Sequence, residues 1–396
     1  MIKKYGGKLL GSLLLTIIVL NTYGQKQKFT IHYNFSDELK EEFYGYLVEG
    51  DTIREGKYTF FLPGGIINQN GSFVDNHPEG LWKLYYDSGE LHQEIEFMQG
   101  VRHGSIRAYY HDGNLQQKGY YKYGRLDGKF VSYYRDGTIE SISNYTNGIQ
   151  NGLVQLFYPN GNVYREFELL NGLENGSWRM YHENGIVNYD GVKKDGKFVD
   201  TLKVYYDKGN LQRVCYYSNG VLEGEYRAFH KTGELKIKSC YKNGVLNGYF
   251  KEYFTNGQVI QEGFYSDNKK EGIWKSYYTD GSLHAIGNFS GDFFEGNWNI
   301  YHPNGNLKQT GAYKNGKSEG FWLFYYDNGK IKSYGNYYNN MKQGLWLNHR
   351  CFKDFETAVI SKYRDNKLVK SFMSIAEAKE ESGMLYIKGV PLIIHN

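Results

Sequence analysis

The chain has 396 residues, of which 49 are Gly and 40 are Tyr but only 5 are Pro. This excess of glycine and aromatic residues favours many tight turns joining short strands over ordinary globular domains. The net charge is +4, and removing residues 1–24 with their three lysines would leave 44 basic against 43 acidic residues. Proteins that bind nucleic acids normally carry a clear basic excess, so we expect no nucleic-acid partner.

The first 24 residues have the pattern of a secretory signal peptide. Lys3, Lys4 and Lys8 precede an apolar run over 9–20, and Thr22 and Gly24 provide small residues for cleavage before Gln25. The run is shorter than the roughly 20 residues that a membrane-spanning helix needs. We therefore expect export to the periplasm, the cell surface or the medium, with no transmembrane span after signal removal. A retained signal anchor is the alternative.

From residue 56 onward the sequence repeats every 24 residues, in twelve copies that end at residue 343. If the first glycine of a copy is position 0, this position is Gly in every copy except at Asp200. Position 9 is always Gly, and position 20 is Gly, Asn or Asp. Such periodicity is typical of repeat proteins, in which each unit packs on its neighbours. A thirteenth copy begins at Gly344 and is not completed.

Each copy predicts one β-hairpin, with strands at positions 1 to 7 and 10 to 17. Asn-Gly or Asp-Gly at positions 8 and 9 is typical of a two-residue type I′ turn, in which both central residues have positive φ. Such a turn would place position 2 opposite 15, position 4 opposite 13 and position 6 opposite 11. Residue sizes support this register, since Trp298 would face Gly311; Trp82 facing Ile95 is a crowded exception.

The predicted fold class is all-β: an elongated, twisted antiparallel meander of repeated hairpins with small caps at both ends. A strand near Phe29 would belong to the first cap, and a short helix that opens at Ser374 would belong to the second. The expected organisation is a signal peptide over 1–24, an N-terminal cap over 25–55, twelve repeats over 56–343, and a partial repeat with a C-terminal cap over 344–396.

The predicted register gives each hairpin two distinct faces. Positions 2, 6, 11 and 17 would form an apolar face, and positions 3, 5 and 12 would form the other. Position 5 is aromatic in all copies, and position 3 is often basic. We predict a binding surface made of Tyr85, Tyr109, Tyr133, Tyr181, Tyr205, Tyr253, Tyr277, Tyr301 and Tyr325, with Lys83, Arg107, Arg179, Lys203, Arg227, Lys251 and Lys275. The alternative is a purely structural ladder of packed rings.

The pattern Gly-x-Trp-x-x-Tyr-Tyr-x-Asn-Gly-x-Leu, followed by Tyr-x-Asn-Gly, resembles the bacterial variant of the MORN repeat. Residues 320–331 are a close instance, and the resemblance covers about residues 56 to 346. It implies a scaffold or binding surface, and lipid association has been proposed for the family. The bacterial variant also occurs in antitoxin or immunity proteins. The resemblance assigns no binding site to individual residues.

Motifs for catalysis or metal binding are lacking: we find no nucleophile elbow, no P-loop and no His-Glu-x-x-His pattern. His182, His230 and His302 all occupy position 6, where a ring that fills an aromatic slot explains them better than metal ligation. We therefore predict an exported, non-catalytic protein without metal or cofactor, which presents its aromatic surface to a protein, glycan or lipid headgroup of the cell envelope. The alternative is an immunity protein, which export disfavours unless the toxin acts outside the cytoplasm.

Overall fold

The computed structural model describes residues 24–352 and 355–372, and every regular element within them is a β-strand. The chain divides into a first unit, residues 1–152, and a second unit, residues 153–396. The predicted signal peptide, apart from its last residue, and the predicted C-terminal helix lie outside the described residues. The strand predicted near Phe29 is present and ends at His32.

The strands of the first unit are β1 Gln27–His32, β2 Leu39–Val48, β3 Asp51–Phe61, β4 Ile67–Val74, β5 His77–Tyr85, β6 Leu91–Met98, β7 Val101–Tyr109, β8 Leu115–Lys122, β9 Arg125–Leu126, β10 Gly128–Tyr133, β11 Ile139–Thr146 and β12 Ile149–Gln150. Consecutive strands pair antiparallel, for example β5 with β6 and β6 with β7. The first unit is thus the predicted antiparallel meander.

The next strand, β13 Gly152–Phe157, begins at the last residue of the first unit. The strands that follow are β14 Val163–Leu170, β15 Leu173–Tyr181, β16 Val187–Lys194, β17 Lys197–Tyr205, β18 Leu211–Ser218, β19 Val221–Phe229, β20 Leu235–Lys242, β21 Val245–Tyr253, β22 Val259–Ser266, β23 Lys269–Tyr277, β24 Leu283–Ser290, β25 Phe293–Tyr301, β26 Leu307–Lys314, β27 Lys317–Tyr325, β28 Ile331–Tyr338, β29 Met341–Phe352, β30 Phe355–Arg364 and β31 Lys367–Phe372. They repeat the same antiparallel pairing.

The turn at positions 8 and 9 differs from the prediction. Gly305 has a φ of +84°, as expected, but position 8 avoids positive φ in every copy except the first, which has Gly64 there. The Gly305 N–H donates to the carbonyl of His302, and the His302 N–H donates to that of Asn306. These bonds define a three-residue loop, a type I turn followed by a left-handed glycine. The predicted type I′ turn is therefore wrong at this place.

The tight two-residue turn lies instead at positions 19 and 20, between one copy and the next. Gln99 and Gly100 have φ values of +50° and +78°, and Met98 pairs with Val101 on either side of them. Position 20 is left-handed in every copy, which explains its restriction to Gly, Asn and Asp. Position 0 also has positive φ, including +60° at Asp200, because the strand bulges there.

The longer loop changes part of the predicted register. Trp82 opposite Ile95 and Leu84 opposite Gln93 confirm the pairings of position 2 with 15 and of 4 with 13. Leu91 lies opposite Tyr85, so the predicted pairing of position 6 with 11 is wrong. The register shifts between these pairs because the returning strand contains one additional residue, at position 12.

Positions 11 and 12 consequently exchange the faces that were predicted for them. Position 11 lies opposite position 5, as Leu283 does Tyr277. Position 12 lies on the same face as positions 4 and 6. His284, at position 12, places Nδ1 3.1 Å from Ser276 Oγ, and its ring centroid lies 4.8 Å from that of Tyr278. We call positions 2, 4, 15 and 17 the tryptophan face and positions 1, 3, 5, 14 and 16 the tyrosine face.

The tryptophan face contains the core, and five of its six indole rings pack on a glycine of the preceding copy. Trp298 covers Gly287, where an added Cβ would lie 2.1 Å from Cδ2 of the indole. The Trp298 Nε1–H donates to the carbonyl of Asn288 at 2.9 Å. Trp82 lies opposite Ile95 in its own copy, as predicted, and it covers Gly71 of the preceding copy in the same way.

A Tyr or His side chain at position 6 joins most copies to the next copy at the loop end; Leu62 and Phe254 occupy this position in the other two. The hydroxyl of Tyr278 donates to the carbonyl oxygen of Tyr301 at 2.7 Å. His302 places Nε2 3.2 Å from the carbonyl oxygen of Tyr325, and His182 and His230 make the equivalent contacts. A ring that carries a hydrogen-bond donor is what Tyr and His share, so the histidines at this position have a structural role.

Candidate functional site

The tyrosine face contains all the predicted binding residues, and acidic side chains at position 14 link several of them. Position 14 lies directly opposite position 3 of its own copy, as in the pair Lys83 and Glu94. It also lies opposite position 3 of the following copy, as in the pair Glu94 and Arg107. One carboxylate is therefore positioned between two successive basic side chains.

Glu94 is the clearest instance in the first unit. It accepts a hydrogen bond from the Tyr109 hydroxyl at 2.9 Å and lies 3.3 Å from Lys83 Nζ and 3.7 Å from Arg107 Nη1. Burial opposes its charge, but the bonds from Tyr109 and Lys83 hold the pKa of the Glu94 carboxyl below its ordinary value. Burial and this carboxylate raise the pKa of Tyr109.

Glu166 occupies the same place in the second unit. The Tyr181 hydroxyl donates to it at 2.6 Å, and Arg179 Nη1 lies 3.4 Å from it. Arg179 also pairs through Nε with Asp190 at 2.9 Å. Burial and the Glu166 carboxylate raise the pKa of Tyr181 to about 12.

Glu262 forms the third network. It lies 2.7 Å from Lys251 Nζ and accepts the Tyr277 hydroxyl at 2.7 Å. These two contacts lower the pKa of the Glu262 carboxyl, and burial together with Glu262 raises the pKa of Tyr277 to about 12. The side chain of Lys275 lies in the same region and acts on Glu262 through its charge.

The remaining predicted residues lie on the same face with more varied partners. The Tyr85 hydroxyl accepts from Asn70 at 3.3 Å, and Tyr133 has Lys118 5.5 Å from its ring centroid. Arg227 pairs with Glu225 at 3.0 Å, and Lys203 is exposed. Tyr205, Tyr253, Tyr301 and Tyr325 are half-buried, and each accepts the position-6 donor of the preceding copy through its backbone carbonyl.

The acidic residues at position 14 were missed in the sequence. They could have been found by looking for a carboxylate that lies opposite a basic residue at position 3. That search needs only the pairing of position 3 with position 14. That pairing follows from the confirmed pairings of 2 with 15 and 4 with 13. Position 14 is also occupied by Asn, Lys, Val, Ile, Thr and Tyr in other copies, so the acids do not stand out as a repeated motif.

A cleft of about 300 Å³ opens on the tyrosine face of the second unit, next to the Glu262 network. Phe264 and Ile273 line it and are 59% and 63% exposed. Tyr249, Lys275 and the Lys251–Glu262 pair contribute polar groups to its walls. In residues 24–352 and 355–372, no group of three or more His, Cys, Asp or Glu side chains is placed to hold a metal ion.

A model of the MORN repeat variant matches nine segments of the chain between residues 78 and 340. The matched segments are 78–99, 102–123, 126–147, 150–171, 222–243, 246–267, 270–290, 294–315 and 319–340. The chain is a MORN-repeat protein. MORN repeats and an all-β repeat fold fit a binding or scaffold role. In the described part of this MORN-repeat protein, no helix has the length and apolar character needed to cross a membrane.

Solved structures similar to this MORN-repeat protein are distant from it. The crystal structure of TcdB2-TccC3 is 11% identical, with 82% of this chain and 24% of that one covered and a TM-score of 0.17. The Photorhabdus luminescens Tc holotoxin pore is 10% identical, with 82% and 23% covered and a TM-score of 0.16. A porin-like protein from Bacteroides uniformis is 10% identical, with 85% and 94% covered and a TM-score of 0.11.

The chain therefore spans about a quarter of the length of the first two of these structures. TM-scores this low do not establish a shared fold. No curated protein matches the chain.

Proposed function

We propose that this MORN-repeat protein is an exported, non-catalytic binding or scaffold protein whose tyrosine face contacts a partner in the cell envelope. The observation that carries the proposal is the exposed pair Phe264 and Ile273 in the cleft beside the Glu262 network. Large apolar side chains that are exposed together and bordered by polar groups are typical of interaction sites.

The surroundings of this cleft favour a preformed binding surface. Tyr277 and Lys251 are both held by Glu262, so their side chains are already ordered before a partner arrives. Ordering side chains costs free energy on binding, and a surface that is ordered in advance avoids much of that cost. A rigid polar border around two exposed apolar side chains therefore suits a protein partner.

The decisive experiment compares two double variants in a binding assay with purified envelope fractions of the source cells. Phe264→Ser with Ile273→Ser removes the apolar centre of the cleft. Leu170→Ser with Leu173→Ser is the matched control, because these leucines are 53% and 55% exposed in the same unit but flank a turn. We expect the first variant to bind at least about tenfold more weakly and the control to bind like the native protein. Equal binding by both would contradict the proposal.

Export has its own test. Full-length protein expressed in its source cells should be recovered outside the cytoplasm, with a mature N-terminus at Gln25 determined by mass spectrometry. An intact N-terminus on cytoplasmic protein would contradict export without bearing on the cleft.

A further inference from the structure

A second cleft on the tyrosine face, in the first unit, brings three cations together. It has a volume of about 430 Å³ and is lined by β7, β8, β10 and β11. Arg107, Lys118 and Lys129 contribute the positive charges, and Tyr120 and Tyr133 contribute aromatic rings. None of its lining residues is acidic.

The arrangement places like charges opposite each other. Arg107 and Lys118 are direct cross-strand partners, a placement that destabilises a sheet when both side chains carry the same charge. Arg107 is 3.7 Å from Glu94, but that carboxylate also serves Lys83 and Tyr109. The cleft therefore holds an excess of positive charge that its own lining does not balance.

The second unit contains the same like-charge pair, and there the chain neutralises it. Arg227 and Lys238 are direct cross-strand partners at the same two positions of their copy. The Glu225 carboxylate bridges them, 3.0 Å from Arg227 Nε and 3.1 Å from Lys238 Nζ. It also accepts the Tyr249 hydroxyl at 2.6 Å. An oxyanion is thus the group that this arrangement of side chains holds.

The two copies differ at the positions that decide the charge. Glu225 occupies position 1, and its equivalent in the first unit is Ser105, which lines the cleft. Tyr249 occupies position 1 of the following copy, and its equivalent is Lys129. In the first unit the Ser105 hydroxyl therefore replaces the carboxylate, and the Lys129 ammonium replaces the tyrosine hydroxyl. The space that a carboxylate at position 105 would fill belongs to the cleft.

We propose that this cleft binds the carboxylates of an acidic saccharide. The inference rests on the proposed function and deepens it, because it names the ligand chemistry of one part of the tyrosine face. Arg107 and Lys118 would hold one carboxylate where Glu225 stands in the other copy, and Lys129 would meet a second negative charge.

The walls of the cleft favour a sugar over a chain of acidic amino acids. Tyr120 is 44% exposed, and an aromatic ring can receive the apolar C–H face of a pyranose. The Ser105 hydroxyl can hydrogen-bond to a sugar hydroxyl. The cleft volume also lies in the range of small-molecule sites.

The test uses the full chain and defined probes in isothermal titration calorimetry at low salt. Trigalacturonate should bind with one site per chain, and galactotriose, its neutral counterpart, should not bind. Ser105→Glu should weaken trigalacturonate binding at least about tenfold, because the new carboxylate would occupy the place of the ligand. The same variant should raise the melting temperature, so a loss of binding could not be attributed to unfolding.

The reciprocal variant tests the roles given to Tyr120 and Lys129. Glu225→Ser removes the internal carboxylate from the second unit and leaves Arg227 and Lys238 uncompensated, but Cys240 and Tyr249 occupy the positions of Tyr120 and Lys129 there. We expect the stoichiometry to stay at one trigalacturonate per chain, and a second bound molecule would contradict those two roles. Phe264→Ser with Ile273→Ser should leave trigalacturonate binding unchanged. A failure of the proposed envelope binding can therefore be distinguished from a failure of the saccharide site.

Three results would overturn the assignment. Unchanged trigalacturonate affinity in Ser105→Glu would show that the cleft is not the site. Inorganic phosphate binding as tightly as trigalacturonate would indicate an adventitious ion only. A triglutamate peptide binding more tightly than trigalacturonate would show that the ligand is an acidic peptide and not a saccharide.

Discussion

Trp298 and Trp178 occupy the same repeat position in the second unit, yet they are stabilised in different ways. Trp298 lies flat over Gly287 and donates its indole N–H to a backbone carbonyl. Trp178 lies opposite Phe167 of the preceding copy, where other copies have a glycine. Its buried Nε1 has no hydrogen-bond partner among the described residues. The glycine at position 15 is therefore what lets the indole reach the backbone.

Two cations lie close to the indole ring of Trp178. Lys193 Nζ lies 5.0 Å and the Arg165 guanidinium carbon 5.8 Å from the indole centroid. Glu174 holds both, at 2.5 Å from Lys193 and 3.3 Å from Arg165. Both indoles also contact aromatic rings, with the centroid of Phe198 5.1 Å from that of Trp178 and the centroid of Phe294 4.6 Å from that of Trp298. One repeat position thus tolerates two local solutions, one by stacking and backbone bonding and one by cation–π contact.

The largest expected effect comes from filling the space under Trp298. In Gly287→Ala the new Cβ would lie 2.1 Å from the indole, which would have to move away from the strand. We expect a loss of about 3 kcal/mol in the free energy of unfolding, measured by urea denaturation. Gly191→Ala is the control, because its nearest neighbour is a Leu202 methyl at 2.8 Å that can rotate. Equal losses would refute the stacking geometry.

The indole hydrogen bond should account for the next largest difference. Trp298→Phe removes the donor to the Asn288 carbonyl, whereas Trp178→Phe removes an N–H that bonds to nothing in the described part of the chain. Both variants lose similar apolar area, so we expect Trp298→Phe to cost about 1–2 kcal/mol more than Trp178→Phe. Thermal and urea denaturation of the two proteins would measure this difference, and a greater loss in Trp178→Phe would contradict it.

Removing the shared carboxylate should destabilise only the Trp178 region. Glu174→Gln leaves Lys193 and Arg165 without their counter-charge, and the three side chains are only 15–30% exposed. We expect a loss of roughly 1–2 kcal/mol, since removing one partner of a partly buried ion pair costs more than at an exposed site. Glu183→Gln, at an exposed loop, is the control and should be nearly silent. Hydrogen exchange should locate the loss in β15 and β16.

The smallest expected effect is a pH dependence at Lys270. This ammonium group lies 4.0 Å from the Trp274 centroid and is hydrogen-bonded to the neutral Gln261. Burial lowers the pKa of Lys270 below 10.5, although Asp292 and Glu252 act in the opposite direction. Between the lowered pKa and 10.5, Lys270 therefore binds more protons in the unfolded chain than in the folded one. Its contribution makes the free energy of unfolding rise with pH in that range.

Lys270→Met should remove that rise. The difference in unfolding free energy between the native protein and the variant, measured at several pH values up to 10.5, should grow with pH by a few tenths of a kcal/mol. A difference that stays constant or shrinks would contradict the role assigned to burial.

The sequence predicted the repeat period, the strands and the left-handed glycine at position 9 because each depends on a local preference that recurs. It failed on the turn type because Asn-Gly suits both a type I′ turn and a type I turn closed by a left-handed glycine. Asn304 settles the choice by accepting the N–H of Asn306 at 3.1 Å, a bond visible only in the structure. The tight turn carried the same signal at positions 19 and 20, as in Asn147-Gly148 and Asn243-Gly244, although Gln99 and Tyr123 also adopt positive φ there.

The candidate site was predictable in outline only. Alternation along a strand placed Tyr277 and Lys251 on one face, and they lie there. The carboxylate between them depends on which strand lies opposite, which single residues do not reveal. The same limit explains why Trp298 was assigned to Gly311, its partner in its own copy, although the glycine that it covers is Gly287 of the preceding copy.

The hydrogen bonds of position 6 constrain how such a gene can change. Each joins a side chain to the carbonyl oxygen of the residue 23 places further on, as Tyr278 does with Tyr301. Duplication or loss of whole copies preserves every such bond at the new junction, whereas an insertion of a few residues breaks one. Recombination between copies should therefore produce proteins of different length that fold alike, and natural length variants should differ by multiples of one repeat.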